Sequence, residues 1–120
     1  MELEGTVQIV TGAGSGLGRR SAQRFAAEGA RVVCADLKRE AAEETVQSII
    51  NAGGAALAAE VDVSNWASVQ RMNETTLEAY GRIDGVFANA GLPGGGSVTD
   101  VDLSSWARTL DVNLTGAMLT

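Results

Sequence analysis

Val7-Gln8-Ile9-Val10-Thr11-Gly12-Ala13-Gly14-Ser15-Gly16-Leu17-Gly18 is the stretch on which the fold turns. An apolar run that breaks off into four glycines within seven residues reads as a buried strand turning sharply into a loop. The helical pattern that follows completes a unit of strand, glycine turn and helix, which makes a phosphate cradle. Gly12 can take the backbone angles of a tight turn, Gly16 has no Cβ to hold a pyrophosphate away, and Gly18 lets the helix pack closely on the strand. The free N–H groups of the helix's first turn then face an anion. A glycine-rich turn of purely structural use is the alternative for such a loop taken alone. The strict Gly-x-Gly-x-x-Gly fingerprint fails in both frames, because Leu17 and Arg19 stand where its last glycine belongs; the pattern present is Thr-Gly-x-x-x-Gly-x-Gly.

Outward from this stretch the chain alternates strand and helix. The first strand covers residues 6–10, and the first helix runs from Ser15 or Gly16 to Glu28, with Leu17, Ser21, Phe25 and Glu28 at helical spacing, Arg19, Arg20 and Arg24 left for solvent, and Gly29 closing it. An apolar run over 30–35 gives a second strand of the type buried on both faces in parallel sheets. Ala42, Val46, Ile49 and Ile50 mark a second helix ended by Asn51-Ala52-Gly53-Gly54, and 55–61 is the third strand. Ser64 is the expected N-cap of a third helix whose buried stripe is Trp66, Val69, Met72, Thr76, Leu77 and Tyr80. The fourth strand spans 85–88, and a glycine-rich loop leads to a last helix capped by Asp102 and extending over 103–118. These alternations predict one domain over 1–120: a three-layer, doubly wound parallel α/β sheet of the Rossmann type, strand order 3-2-1-4, with a crevice where the order reverses at strands one and four.

Composition narrows the partners. A hydrophobic fraction of 45% with 20% charged residues suits a globular chain, and the net charge of −6 argues against nucleic acid and anionic membranes. No apolar run approaches the ~20 residues needed to span a bilayer and the N-terminus has no signal-peptide pattern, so a cytoplasmic location is expected. A single cysteine, Cys34, precludes an intrachain disulfide, and the absence of histidine removes the commonest metal ligand; no metal site is expected.

Asp36 ends the second strand, where a carboxylate can accept hydrogen bonds from the adenosine ribose and repel a 2′-phosphate. NAD is therefore favoured over NADP, although Lys38 and Arg39 lie close by; a helix cap or turn is the alternative use of Asp36. Asp62-Val63 ends the third strand, Asn89-Ala90-Gly91 the fourth, and Val112-Asn113 falls in the last helix; each taken singly is also an ordinary turn or helix element.

Thr11-Gly12-x-x-x-Gly16-x-Gly18, Asp36, Asp62-Val63, Asn89-Ala90-Gly91 and Val112-Asn113 together, in this order and spacing, resemble the cofactor half of the short-chain dehydrogenase/reductase family. The resemblance implies that Gly12, Gly14, Ser15, Gly16, Leu17 and Gly18 form the cofactor loop and that Asp36 and Leu37 hold the ribose end. It also implies that Asp62 and Val63 flank the adenine, that Asn89, Ala90, Gly91 and Val112 line the rest of the site, and that Asn113 holds a water in the proton relay. Ser15 stands where NADP-preferring relatives often carry a base.

One departure matters. The family's Tyr-x-x-x-Lys pair cannot be formed, because the chain's one tyrosine and one lysine are Tyr80 and Lys38. An unassisted tyrosine, with a pKa of roughly 10, is poorly matched to neutral pH. The chain therefore reads as the cofactor half of an NAD-dependent alcohol or carbonyl oxidoreductase, cut after strand four and its helix and inactive alone. A catalytically silent NAD-binding module or an interaction fragment is the alternative. An alcohol or carbonyl substrate is expected only with a second half, and the unpaired fourth strand points to a homo-oligomer.

Overall fold

The computed structural model describes all residues, 1–120. Strands β1 (Val7–Thr11), β2 (Arg31–Asp36), β3 (Ala55–Glu60) and β4 (Gly85–Phe87) form one sheet in the order β3-β2-β1-β4. Every pairing is parallel, with Ile9 opposite Val33 and Val86, and Val33 opposite Leu57. Helices α1 (Gly16–Ala27), α2 (Arg39–Asn51) and α3 (Trp66–Tyr80) are the crossovers. The last helix begins as α4 (Leu103–Leu110), widens into a π-helical turn over Asp111–Thr115 and ends as α5 (Gly116–Leu119).

Side chains alternate across the strands with period two, and this divides the interior into two cores. On one face Ile9, Val33, Ala35, Ala59 and Val61 meet Val69 and Met72 of α3, together with Val112. On the other, Val10, Val32 and Cys34 meet Ala22 and Ala26 of α1 and Ala42 and Ile49 of α2. The result is a helix–sheet–helix sandwich. Asp84 ties the start of β4 to the start of β1, its Oδ2 accepting the Val7 N–H at 2.8 Å while Oδ1 accepts from Arg82.

Four local expectations are corrected. The cap of α3 is Asn65, whose side chain accepts the Ser68 N–H, and Ser64 is instead bonded to Asp62. The buried face of α3 is Ser68, Val69, Met72 and Thr76. Trp66 and Leu77 lie more than about 100° around the helix from the middle of that face and are exposed, while Tyr80 sits at its border, half-buried. On α1 the sheet side is Gly18, Ala22 and Ala26, not the Leu17 row: only small residues allow so close an approach to β1, and Leu17 is exposed at 77%. Arg19 is not a free solvent residue, since its guanidinium bonds to the Gly14 carbonyl and to Thr45 and Glu44. The elements otherwise fall within a residue or so of their expected limits, and β4 ends at Phe87.

Candidate functional site

The carboxyl ends of all four strands open on one cleft of about 540 Å³. Thr11 organises its floor. The Thr11 hydroxyl oxygen accepts the N–H groups of Asn89 (3.1 Å) and Ala90 (3.0 Å), and Asn89 Nδ2 donates to the Thr11 carbonyl at 3.1 Å, so the ends of β1 and β4 are stitched together. Gly12 follows with φ +65°, where a side chain would be strained, and a Cβ there would stand 3.0 Å from Ala90 Cα. A Cβ on Gly18 would overlap the Gly12 carbonyl oxygen, which is why α1 can start directly against the end of β1. At Gly16, with φ +54°, a Cβ would meet nothing within 4 Å: the space in front of it is open. The N–H groups of Gly16, Leu17 and Gly18 find no acceptor within the chain, as expected of a helix's first turn.

Two carboxylates border the cleft. Asp36 Oδ2 accepts the Gly14 N–H at 2.9 Å and Oδ1 accepts the Lys38 N–H at 3.0 Å, so this carboxylate is fixed by one backbone donor on each oxygen and keeps further lone pairs free. Gly14 must lack a side chain for this, since its Cβ would come within 2.8 Å of Asp36 Oδ2 and 2.6 Å of Ala41 Cβ. Asp62 Oδ1 accepts the Ser64 hydroxyl at 2.6 Å and the Ser64 N–H at 3.0 Å. The hydroxyl bond above all, then the N–H and the Arg108 charge 4.0 Å away, hold the Asp62 carboxyl below its ordinary range against a partial desolvation.

The cleft brings together Gly12, Gly14, Ser15, Gly16, Leu17, Asp36, Leu37, Asp62, Val63, Asn89, Ala90, Gly91 and Val112. Gly18 lies beneath it as the packing glycine. Asn113 stands outside the lining: its amide exchanges two hydrogen bonds with the backbone of Leu92, Nδ2 to the carbonyl at 2.8 Å and Oδ1 from the N–H at 2.7 Å. It thereby pins the loop after β4 to the π-helical turn. Arg108, absent from the sequence reading, also lines the cleft and donates to Ser64 Oγ at 2.9 Å. Its position one helical turn before Val112 was the available signal, because residues four apart share a face. Lys38, Ala41, Val61 and Leu92 complete the walls; of these only Lys38 was marked by the sequence, as a base close to Asp36.

Comparison with known proteins agrees with this geometry. Residues 6–120 match the family described as short chain dehydrogenase, and the chain belongs to that family. It is 38% identical over 118 residues to meso-2,3-butanediol dehydrogenase of Serratia marcescens, covering 98% of this chain and 46% of that protein. It is 37% identical over 119 residues to (2S)-[(R)-hydroxy(phenyl)methyl]succinyl-CoA dehydrogenase subunit BbsD of Thauera aromatica, covering 99% and 48%. Among solved structures, a short-chain dehydrogenase/reductase from Burkholderia phymatum in complex with NAD superposes with a TM-score of 0.94 at 37% identity, over 99% of this chain and 42% of that one. The chain thus spans about half the length of the curated relatives it matches.

Proposed function

We propose that this chain is the NAD-binding part of an oxidoreductase that moves hydride between an alcohol or carbonyl substrate and the cofactor. The observation that carries the reading is Asp36, a carboxylate fixed at the end of β2 beside the glycine loop by the Gly14 and Lys38 N–H groups. Its lone pairs suit the two ribose hydroxyls, and its charge opposes a 2′-phosphate. The cleft fits the rest of a dinucleotide: open space and unpaired N–H groups at the first turn of α1 for the pyrophosphate, and Asp62 with Val63 at the adenine end. The solved relative that holds NAD supports the same cofactor here. When bound, the nicotinamide supplies the hydride acceptor or donor. The chain's own residues bind and orient it, and Asn113 fixes the loop at Leu92 on the far side of the cleft.

Residues 1–120 do not assemble a proton donor for such a reaction. Tyr80 lies over Arg31 at the amino end of β2, where burial raises its pKa despite the nearby Arg31 charge, while Lys38 follows the carboxyl end of the same strand, roughly 20 Å away along six residues. This chain alone is therefore proposed to bind NAD without turnover, and the substrate to be met by a polypeptide of the relatives' full length. The proposed location is the cytoplasm; no helix is long and apolar enough to cross a membrane. We further propose that the 120-residue chain associates with itself, because Val86 and Phe87 expose an unpaired strand edge. Sedimentation showing only a folded, NAD-binding monomer at micromolar concentration overturns that association.

Calorimetry with NAD and NADP tests the cofactor assignment. NAD should bind more tightly, and Asp36→Ala should cost about 1.5–3 kcal/mol, the range for hydrogen bonds to a charged group, while narrowing the gap between the two cofactors. Equal or tighter binding of NADP by the parent chain contradicts the assignment.

A further inference from the structure

The glycine loop is held from behind as well as from the cleft. Thr45, in the middle of α2, is fully buried, and its hydroxyl donates to the Ala13 carbonyl at 2.8 Å while accepting Arg19 Nε at 3.1 Å. The Ala41 carbonyl, the back-bonding acceptor usual for a helical threonine, is farther at 3.3 Å, and the hydroxyl has one proton to give. Arg19 Nη2 donates to the Gly14 carbonyl at 2.7 Å and also contacts Glu44. Ala13 N–H goes to the Ala35 carbonyl and Gly14 N–H to Asp36, so all four backbone polar atoms of residues 13 and 14 are tied.

The consequence follows from peptide geometry. In a trans peptide the C=O of one residue and the N–H of the next lie in one plane and point opposite ways. With the Gly14 carbonyl drawn back toward Arg19, the Ser15 N–H is directed away from α1 and α2, on the side of the cleft that Ser15 lines. Glycine gives that peptide plane little resistance of its own to flipping. We propose that Arg19 and Thr45 are positioning residues for the cofactor loop: Arg19 locks the plane between Gly14 and Ser15 so that the Ser15 N–H stays available to a diphosphate, and Thr45 locks Arg19 and the Ala13 carbonyl in place. The inference deepens the NAD-binding reading and rests on it for the identity of the diphosphate.

The test compares ADP, which carries a diphosphate, with adenosine, which does not, by NMR titration of the parent chain and of Arg19→Met, Thr45→Val and Thr45→Ser. Arg19→Met should weaken ADP about tenfold, as expected for loss of one charge-assisted hydrogen bond's alignment, and leave adenosine within about twofold. Thr45→Val should act in the same direction, and Thr45→Ser, which keeps the hydroxyl, should match the parent. Equal weakening of both ligands, or of neither, overturns the proposal; if Thr45→Val does not fold, Arg19→Met decides. Should the parent bind neither ligand, the NAD reading fails. The brace is then judged by ¹⁵N relaxation dispersion, which should show new exchange at Gly14 and Ser15 in Arg19→Met, and unchanged relaxation there overturns it.

Discussion

The block from β1 to β3 and the segment from β4 onward are packed very differently. In the block, Val7, Ile9, Val10, Val32, Val33 and Cys34 are completely buried between two layers of helices. In the segment, Val86 and Phe87 of β4 are exposed at 41% and 37%, α4 buries no residue, and of the continuing helix only Val112 and Gly116 are buried, with Leu119 packed half-buried against the core. Yet Leu103, Trp106, Leu110, Leu114 and Met118 recur at helical spacing on that helix, and all of them face outward. An apolar stripe specifies which residues share a face; what covers the face is a property of the assembly. The cleft draws most of its lining from the well-packed block, and Asn89, Ala90, Gly91, Leu92, Arg108 and Val112 from the other segment, joined to the block through Thr11.

The sharpest way to break the comparison is to cut into each region. Ile9→Ala should cost about 3 kcal/mol through lost burial and a residual cavity, whereas Phe87→Ala, part-exposed but in contact with the Phe25 ring, should cost about 1–2 kcal/mol. Chemical denaturation measures both, and comparable losses would mean that the two regions form one equally packed core. Cys34 supplies a second readout, since burial pushes its thiol up to about 12. It should resist thiol reagents in the parent and Phe87→Ala chains and become reactive sooner in Ile9→Ala.

Gly18→Ala should come next, at about 2 kcal/mol, because the added methyl overlaps the Gly12 carbonyl oxygen and crowds Asn89 Nδ2 at the junction of the two regions. A thermal midpoint equal to the parent's would show that α1 can shift away from β1 without loss.

A smaller, pH-dependent effect sharpens the contrast. Asp84 is lowered by its bonds with Arg82, first, and with the Val7 N–H, and Asp62 is lowered chiefly by Ser64. A carboxyl depressed in the folded state contributes stability above its unfolded pKa, about 3.9, and that contribution fades as pH falls through the folded value. Acid titration should thus erode stability below about pH 4, and Asp84→Asn should flatten part of that slope by removing one of the depressed carboxyls. An unchanged slope in Asp84→Asn would remove Asp84 from the account.

The sheet order and most element limits were legible because strand and helix periods differ and glycines punctuate them: residues 7–18 and 30–36 left little freedom. The cleft residues were legible where a motif named them. The misread positions have physical causes. On α1 the packing role of Gly18 was legible in the glycine loop, but its neighbours Ala22 and Ala26 were not, because leucine and phenylalanine in the Leu17 row outweigh them in hydrophobicity while close packing on β1 selects small residues. Arg19 looked like solvent-facing charge, since no pattern in the sequence announces that Thr45, twenty-six residues away, waits beside it. Arg108 reaches the cleft only because Val112 and Gly116 bring the last helix against Val63.

The central claim is that the cleft at the end of β1 receives NAD. NMR titration of the 120-residue chain with NAD tests it residue by residue. Saturable amide shifts should appear at Ser15, Gly16, Leu17, Asp36, Leu37, Asp62 and Val63, with Val86 and residues 103–106 unmoved. They should be lost in Gly16→Asn, whose side chain tolerates φ +54° and would fill the open space before the loop. No saturable shift, or shifts confined to β4 and α4, would contradict the account.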